Sequence, residues 1–269
     1  MLFEKHEIST GGGAAAPLYV YLLDNSREID PRRRRPLVLI CPGGGYEMTS
    51  DREAEPIAMQ LLAAGFHAAI LRYSVRPAIF PEALCQLAAS AALLRSHAAA
   101  WNIDPERVFV LGCSAGGHLA ASLGVFWNKG LIEQETGLKA AEFRPNGLVL
   151  VYPVISSGEY AHRGSMEALL GGLTDDTHLA MMALENQVDQ ETPPAFLWHT
   201  WEDDCVPVEN SLMFAAALRK NRVPFEMHIY QYGGHGLSLA TPETGNSGAP
   251  PNVPGWIDLA ANWIRAFKA

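Results

Sequence analysis

Short runs of apolar residues recur along the chain, and longer amphipathic stretches separate most of them. The runs have the length and the large or β-branched side chains typical of strands buried on both faces of a sheet. They occupy residues 18–23, 37–41, 67–73, 108–111, 147–152, 195–200 and 225–230. Helical patterns occupy residues 53–64, 80–101, 118–127, 208–221 and 252–269. This alternation predicts an α/β fold, with a mostly parallel central sheet and helices on both of its faces.

Residues 156–191 interrupt the alternation. They contain no long apolar run, and short helical stretches there alternate with glycine and aspartate pairs. We interpret this segment as a small cap insertion within a single domain that spans residues 1–269, since that length is common for one α/β domain. Its histidines, His162 and His178, are expected to be structural or exposed, and a contact with substrate is the less favoured alternative.

Composition narrows the classes of partner. The chain is 48% hydrophobic and 18% charged and has a net charge of −9, which argues against binding to nucleic acid or to an anionic membrane. No apolar run is long enough to span a membrane, and the first ten residues lack the pattern of a signal peptide. The four cysteines show neither C-x-x-C nor metal-ligand spacing, so we expect a reduced, cytoplasmic protein without a metal site. The sequence leaves the oligomeric state open, a homo-oligomer included.

The strongest chemical signal is the run RVFVLGCSAGGHLAASL at residues 107–123. It reads as a buried strand, the motif G-x-S-x-G and a helix, which is the context of a nucleophile elbow. The tight turn would hold the Ser114 hydroxyl exposed above the sheet, and Gly112 and Gly116 would supply the small neighbours that such a turn requires. The helix that follows directs its free N–H groups to the same place, so the N–H of Ala115 is a candidate oxyanion donor.

Two glycine triplets lie beside the first two predicted strands. Glycines 11–13 predict a flexible turn rather than a phosphate-binding loop, because neither a lysine nor a helix follows them. Glycines 43–45 follow the strand at residues 37–41 directly and can bring N–H groups close to a ligand. We favour the N–H of Gly44 or Gly45 as the second oxyanion donor, with an ordinary glycine turn as the alternative.

A serine nucleophile needs a general base, and the base needs an acid that orients it. His235 lies late in the chain in the loop Gly-Gly-His-Gly, where glycines leave the ring free to approach a serine, so it is the candidate base. The remaining histidines outside residues 156–191 fit this role less well, because they fall inside strands or helices or near the terminus: His6, His67, His97, His118, His199 and His228. For the acid, the loop after the strand at residues 195–200 offers three consecutive carboxylates at positions 202–204, each of which could also be a solvated charge.

Together these motifs resemble those of the α/β-hydrolase-fold serine esterases, across nearly the whole chain. The resemblance is closest to small bacterial carboxylesterases grouped with acetyl-xylan and feruloyl esterase-like proteins, near the hormone-sensitive-lipase branch. Proline stands at position 42 where that branch has histidine, a departure that leaves the backbone donors unaffected. The segments that carry the resemblance are PGGGY at 42–46, GCSAGGHLA at 112–120, TPPAFLWHT at 192–200, DDCVPVENS at 203–211 and GGHGL at 233–237.

The resemblance implies a triad of Ser114, Asp203 and His235. Asp203 is preferred because D-x-x-V-P is the pattern at this loop in related hydrolases, and Asp204 is the alternative. The implied activity is hydrolysis of short-acyl esters, with acetyl esters of sugars or xylo-oligosaccharides as the expected substrates and no cofactor. Tyr46 and Trp201 are expected beside the pocket, although both could instead be packing residues.

Three other functions remain open at this point. The same site could cleave an amide, as formamidases of similar architecture do, or a peptide bond. A propeller domain that would select peptides is absent from the sequence, which weakens the case for a peptidase. A relative without catalytic activity that only binds a ligand is the third alternative.

Overall fold

The computed structural model describes residues 1–10, 13–173, 175–246 and 248–268, and within these ranges it has eight strands and ten α-helices. The strands are β1 (Leu2–Ile8), β2 (Ala16–Leu22), β3 (Arg35–Cys41), β4 (His67–Leu71), β5 (Ile103–Cys113), β6 (Gly147–Val151), β7 (Ala195–Thr200) and β8 (Phe225–Tyr230). The helices are α1 (Glu55–Ala63), α2 (Glu82–Ser96), α3 (Ala98–Trp101), α4 (Ala115–Phe126), α5 (Leu131–Thr136), α6 (Ala140–Phe143), α7 (Arg163–Leu170), α8 (Asp176–Met182), α9 (Glu209–Lys220) and α10 (Trp256–Ala266). Gly11 and Gly12 of the predicted glycine turn lie outside the described ranges.

The strands form one sheet in the order β1-β2-β4-β3-β5-β6-β7-β8. The six strands from β4 to β8 in that order pair in parallel, while β1 and β2 add an antiparallel edge. Strands β4, β6 and β7 are buried along their whole length, as their continuous apolar runs predict. The prediction of a mostly parallel sheet in an α/β-hydrolase fold is confirmed.

Helices cover both faces of the sheet, and each face has its own apolar core. Helices α2, α4 and α9 pack on one face, through side chains such as Leu87, Leu119 and Phe214. Helices α1 and α10 pack on the other face, through side chains such as Ile57 and Trp256. All residues of α4 are buried, so the helix that follows Ser114 is fixed in the interior of the protein.

Several elements differ from the sequence-based expectation. The sequence does not predict strand β1, because most of its side chains are exposed and its sequence, LFEKHEI, offers no continuous apolar run. The single helix predicted at residues 80–101 is two helices, α2 and α3. They are separated at His97, where a ring nitrogen and the Ser96 hydroxyl both bond to the Leu93 carbonyl. The sequence also does not predict the short helices α5 and α6.

The segment at residues 156–191 carries α7 and α8, and its described residues contain no strand. It is joined to the body of the fold by backbone hydrogen bonds, including Phe80 N–H to the Leu169 carbonyl at 2.8 Å and Leu184 N–H to the Ile155 carbonyl at 3.1 Å. Within the described part of the chain, none of the helices combines the length and the apolar character needed to cross a membrane.

The carboxyl ends of the parallel strands place the candidate residues at one edge of the sheet. Strand β3 ends at Cys41, just before the glycine segment, and β5 ends at Cys113, just before Ser114. Strand β7 ends at Thr200, and the Trp201 N–H that follows donates to the Tyr230 carbonyl of β8 at 2.8 Å. Ligands in sheets of this kind bind at this edge, so the fold brings the predicted nucleophile, the glycine segment and the acidic loop to one region.

Candidate active site

Ser114 occupies a backbone conformation that few residues adopt, with φ 52° and ψ −119°. The two glycines around it are required by sterics. A methyl group at Gly112 would overlap the Gly116 carbonyl, and one at Gly116 would overlap the Cys41 carbonyl. The turn is held by the Ser114 N–H, which donates to the Val151 carbonyl of β6 at 3.0 Å. The strand, turn and helix therefore form the geometry of a nucleophile elbow.

His235 lies between the serine and a carboxylate. The Ser114 hydroxyl donates to His235 Nε2 at 2.7 Å, and His235 Nδ1–H donates to Asp203 Oδ2 at 2.7 Å. Because a carboxylate can only accept, Nδ1 carries the proton and Nε2 is free to accept one from the serine. Gly233 and Gly236 have φ of 123° and 71°, which shows why the loop around this histidine is rich in glycine.

Asp203 is fully buried and saturated with hydrogen bonds. Its Oδ1 accepts from the N–H groups of Cys205 at 3.1 Å and Val206 at 2.8 Å, and its Oδ2 lies 3.2 Å from His199 Nε2 as well as accepting from His235. Burial by itself would raise the pKa of Asp203, but hydrogen bonds from His199 and His235 outweigh that effect and hold the pKa well below its ordinary value.

The neighbouring carboxylates face elsewhere. Asp204 is exposed, and Glu202 is exposed and accepts from the Gly233 N–H at 3.0 Å. The structure thus brings Asp203, and not Asp204, to His235. The sequence alone could not separate them, because three acidic side chains in a row carry the same local signal.

The glycine segment after β3 lies directly against the serine. A methyl group at Gly43 would overlap the Ser114 side chain and the Cys113 carbonyl. The Gly43 N–H already donates to Glu53 Oε2 at 2.7 Å, which leaves the N–H groups of Gly44 and Gly45 as the candidate oxyanion donors on this segment.

An open cavity of about 650 Å³ contains the Ser114 and His235 side chains. Its lining residues come from the glycine segment, the residues before α1, the residue preceding α7, and the loops that carry Asp203 and His235. They are Gly44, Gly45, Glu47, Met48, Ser50, Arg52, Glu53, Ser114, His162, Cys205, His235 and Gly236. A slightly larger cavity of about 710 Å³ lies elsewhere, on residues that include Thr10, Arg72 and Glu82, and contains none of the triad residues.

The expectation that Tyr46 and Trp201 flank the pocket is wrong in this structure. Tyr46 is 2% exposed, and its hydroxyl donates to His118 Nδ1 at 3.0 Å inside the core. Trp201 is 66% exposed and lies on a separate surface with Ile229. The sequence does not show which way an aromatic side chain next to a motif points. In the structure the side chains of Tyr46 and Trp201 both point away from the cavity.

Three other histidines have distinct places in the structure. Burial lowers the pKa of His118 to about 4, and its Nε2 donates to the Met182 carbonyl at 3.2 Å, behind Ser114. His178 is exposed and paired with Asp175 at 2.6 Å. His162 lines the cavity, where burial and the neighbouring His235 lower its pKa, and its Nδ1 accepts from the Ser165 N–H at 3.2 Å.

Three buried residues around the site are not predicted by the sequence. His199, on β7, bonds to Asp203, although its position within a strand suggested only a packing role. Glu53 and Tyr152 bond to each other at 2.6 Å beside Ser114 and His235. A buried carboxylate must have hydrogen-bond partners, but the sequence does not reveal that Glu53 is buried.

The fold and the hydrogen-bonded chain of serine, histidine and aspartate define an α/β hydrolase with a serine nucleophile elbow. Residues 23–218 match the BD-FAE family, and the chain belongs to that family. It is similar to an acetyl ester-xyloside bifunctional hydrolase from Caldicellulosiruptor lactoaceticus, with 36% identity and a TM-score of 0.83 over 98% of this chain and 96% of that one.

Two relatives are longer proteins. Endo-1,4-beta-xylanase B of Butyrivibrio fibrisolvens is 36% identical over 78% of this chain and 34% of its own length. Acetylxylan esterase of Xylanibacter ruminicola is 30% identical over 74% of this chain and 40% of its own length. The chain thus matches less than half of either relative.

Proposed function

We propose that the protein is a serine carboxylesterase that hydrolyses short-acyl esters, with acetyl esters of sugars or xylo-oligosaccharides as its substrates. The observation that carries the proposal is the chain of 2.7 Å hydrogen bonds from Ser114 through His235 to Asp203 at an open cavity. In this arrangement an ordinarily weak nucleophile has a base in contact with it and an acid that fixes the base.

In the first half of the reaction, the Ser114 oxygen attacks the ester carbonyl carbon and its proton passes to His235 Nε2. The charge that forms on the carbonyl oxygen is stabilised by the N–H of Ala115 and by that of Gly44 or Gly45. The carbon–oxygen bond to the alcohol then breaks, and the alcohol leaves with the proton from His235. The acyl group remains bonded to the serine.

In the second half, a water molecule gives a proton to His235 and attacks the acyl carbon. The bond to the serine oxygen breaks, His235 returns the proton to Ser114, and the free acid leaves. Asp203 stabilises the doubly protonated ring that forms in each half, since it accepts from Nδ1 throughout. All of these steps use side chains and backbone groups of the chain itself.

The substrate class is supported by the names of the relatives and by the shape of the site. Two of the relatives reported above are named for hydrolysis of acetyl esters or of acetylxylan. The cavity is open to solvent, which suits an alcohol part as large as a saccharide. All four cysteines are free, which supports a reducing, cytoplasmic location.

The test is hydrolysis of p-nitrophenyl esters from acetate to octanoate, together with release of acetate from acetylated xylo-oligosaccharides. We expect fast cleavage of acetate, a steep fall beyond short acyl chains, acetate release from the oligosaccharides, and loss of all activity in Ser114→Ala. Cleavage of the long esters but not of the sugar acetates would contradict the substrate class. Cleavage of amides with no cleavage of esters would contradict esterase activity itself.

A further inference from the structure

Glu53 is a buried carboxylate whose two oxygens contact two different parts of the site. Its side chain lies at the cavity wall, although the residue is only 3% exposed. Oε2 accepts from the Gly43 N–H at 2.7 Å, and Oε1 accepts from the Tyr152 hydroxyl at 2.6 Å. A carboxylate at this depth is costly unless both oxygens are bonded, so its position is defined by these two partners.

The first contact fixes the glycine segment. Gly43 packs against Ser114 so tightly that no side chain fits there, and its N–H points to Glu53. The next two residues supply the candidate oxyanion N–H groups. Gly44 and Gly45 have φ of 133° and 67°, which glycine adopts readily because it has no side chain. For the same reason the segment has wide conformational freedom, and the bond from Gly43 to Glu53 limits it.

The second contact fixes the loop of the base. Tyr152 is 1% exposed, and its ring packs edge-on against His235 with centroids 5.1 Å apart. Its oxygen also accepts from the Ser238 N–H at 2.8 Å, three residues after His235. The Ser238 hydroxyl in turn donates to the Arg52 carbonyl at 2.5 Å, next to Glu53.

We propose that Glu53 is a positioning residue that holds the oxyanion segment and the His235 loop in register with Ser114. The inference rests on the proposed serine esterase function. A carboxylate suits this role because both of its partners donate, and it can accept at both oxygens. A glutamine offers only one acceptor atom, and its amide group would face a tyrosine oxygen that already accepts from Ser238.

The main test compares Glu53→Gln with Glu106→Gln. Glu106 is the control, since it is an exposed carboxylate in the first half of β5 and lies outside the cavity. A displaced oxyanion donor reduces turnover by about 10- to 1,000-fold with little effect on ground-state binding. We therefore expect Glu53→Gln to lower kcat at least about 10-fold, leave KM for p-nitrophenyl acetate within about 2-fold, and weaken inhibition by a trifluoromethyl ketone in proportion to kcat.

Tyr152→Phe separates the two contacts, because it keeps the ring against His235 and removes only the hydroxyl. We expect a smaller loss of kcat than in Glu53→Gln, and a double variant whose loss is less than the product of the two single losses. Activities are expressed per site titrated with a fluorophosphonate, so that unfolded protein is not counted. A Glu53→Gln enzyme with kcat within 2-fold of wild type, or with KM raised instead of kcat lowered, would overturn the proposal.

A second measurement does not depend on turnover. The downfield proton signal of the His235 Nδ1–H in the NMR spectrum reports the geometry between His235 and Asp203. We expect it to shift in Glu53→Gln and in Tyr152→Phe and to stay in place in Glu106→Gln. An unshifted signal in both site variants would overturn the positioning role even if the wild type proved to be no esterase, whereas an inactive wild type alone would overturn only the proposed function.

Discussion

Replacing Asp203 by asparagine tests which carboxylate orients the base. The substitution keeps the size of the side chain but exchanges one acceptor oxygen for an NH2 group. In the native structure Oδ1 accepts two backbone N–H groups and Oδ2 faces ring nitrogens of His199 and His235. Whichever way the new amide is turned, its NH2 group faces two donors, so neither orientation of the asparagine side chain satisfies the site.

The consequence for catalysis follows from the tautomer of His235. With an NH2 group opposite Nδ1, the ring is stable only when Nδ1 accepts, and the proton then lies on Nε2, where it faces Ser114 and blocks proton transfer. Exchange of a triad aspartate for asparagine lowers kcat by about 10⁴ in such sites, which corresponds to about 5 kcal/mol of lost transition-state stabilisation. The opposed donors should also lower the free energy of unfolding by about 1–3 kcal/mol.

The assay is steady-state hydrolysis of p-nitrophenyl acetate, with unfolding in urea measured on the same preparations. Asp204→Asn is the matched control, because this exposed side chain is adjacent in sequence and does not contact His235. We expect Asp204→Asn to keep kcat within about 2-fold, as most exposed substitutions leave a fold unperturbed. A large loss in Asp204→Asn together with a small one in Asp203→Asn would refute the reasoning.

Three further predictions concern the rest of the fold. Gly116→Ala should prevent accumulation of folded protein, because its methyl group would overlap the Cys41 carbonyl. Gly255 has open space around it, so the free energy of unfolding of Gly255→Ala, measured in urea, should lie within about 1 kcal/mol of the wild-type value. Burial lowers the pKa of His118 to about 4, so the folded state holds this histidine neutral. Its contribution to the free energy of unfolding, up to about 3 kcal/mol, is fully present above pH 6.5 and is lost as the pH falls towards 4. Urea unfolding at pH 7.5 and 4.5 should therefore show a weaker pH dependence in His118→Asn, and an unchanged one would contradict the assignment. Trp201→Ala should leave kcat/KM for p-nitrophenyl acetate within about 2-fold, since Trp201 lies outside the cavity; a tenfold loss would place it in the substrate path.

The sequence predicts best what local sterics and continuous burial impose. The run 107–123 contains a strand, two obligatory glycines and a helix within one window, so the position of Ser114 follows from neighbouring residues alone. The same holds for the central strands, whose apolar runs are uninterrupted. Strand β1 carries no such signal, because it pairs at the sheet edge with most of its side chains exposed.

Features that depend on contacts across the fold could not be predicted in this way. The path of one loop buries Asp203 and leaves its neighbour Asp204 exposed. Tyr46 points into the core, although it directly follows the glycine segment. Glu53 is separated from Tyr152 by 99 positions in the chain, so their hydrogen bond leaves no trace in any local pattern. Each of these outcomes is set by packing between distant segments rather than by propensity.

The most direct test of Ser114 as the nucleophile is to locate a covalent label on the protein. The folded protein is treated with a fluorophosphonate, digested, and the modified peptide is identified by mass spectrometry, with and without p-nitrophenyl acetate as a competitor. We predict one adduct per chain on Ser114, slower labelling in the presence of the ester, and no adduct in Ser114→Ala. An adduct on another residue, or hydrolysis of the ester by a protein that takes no label at Ser114, would contradict it.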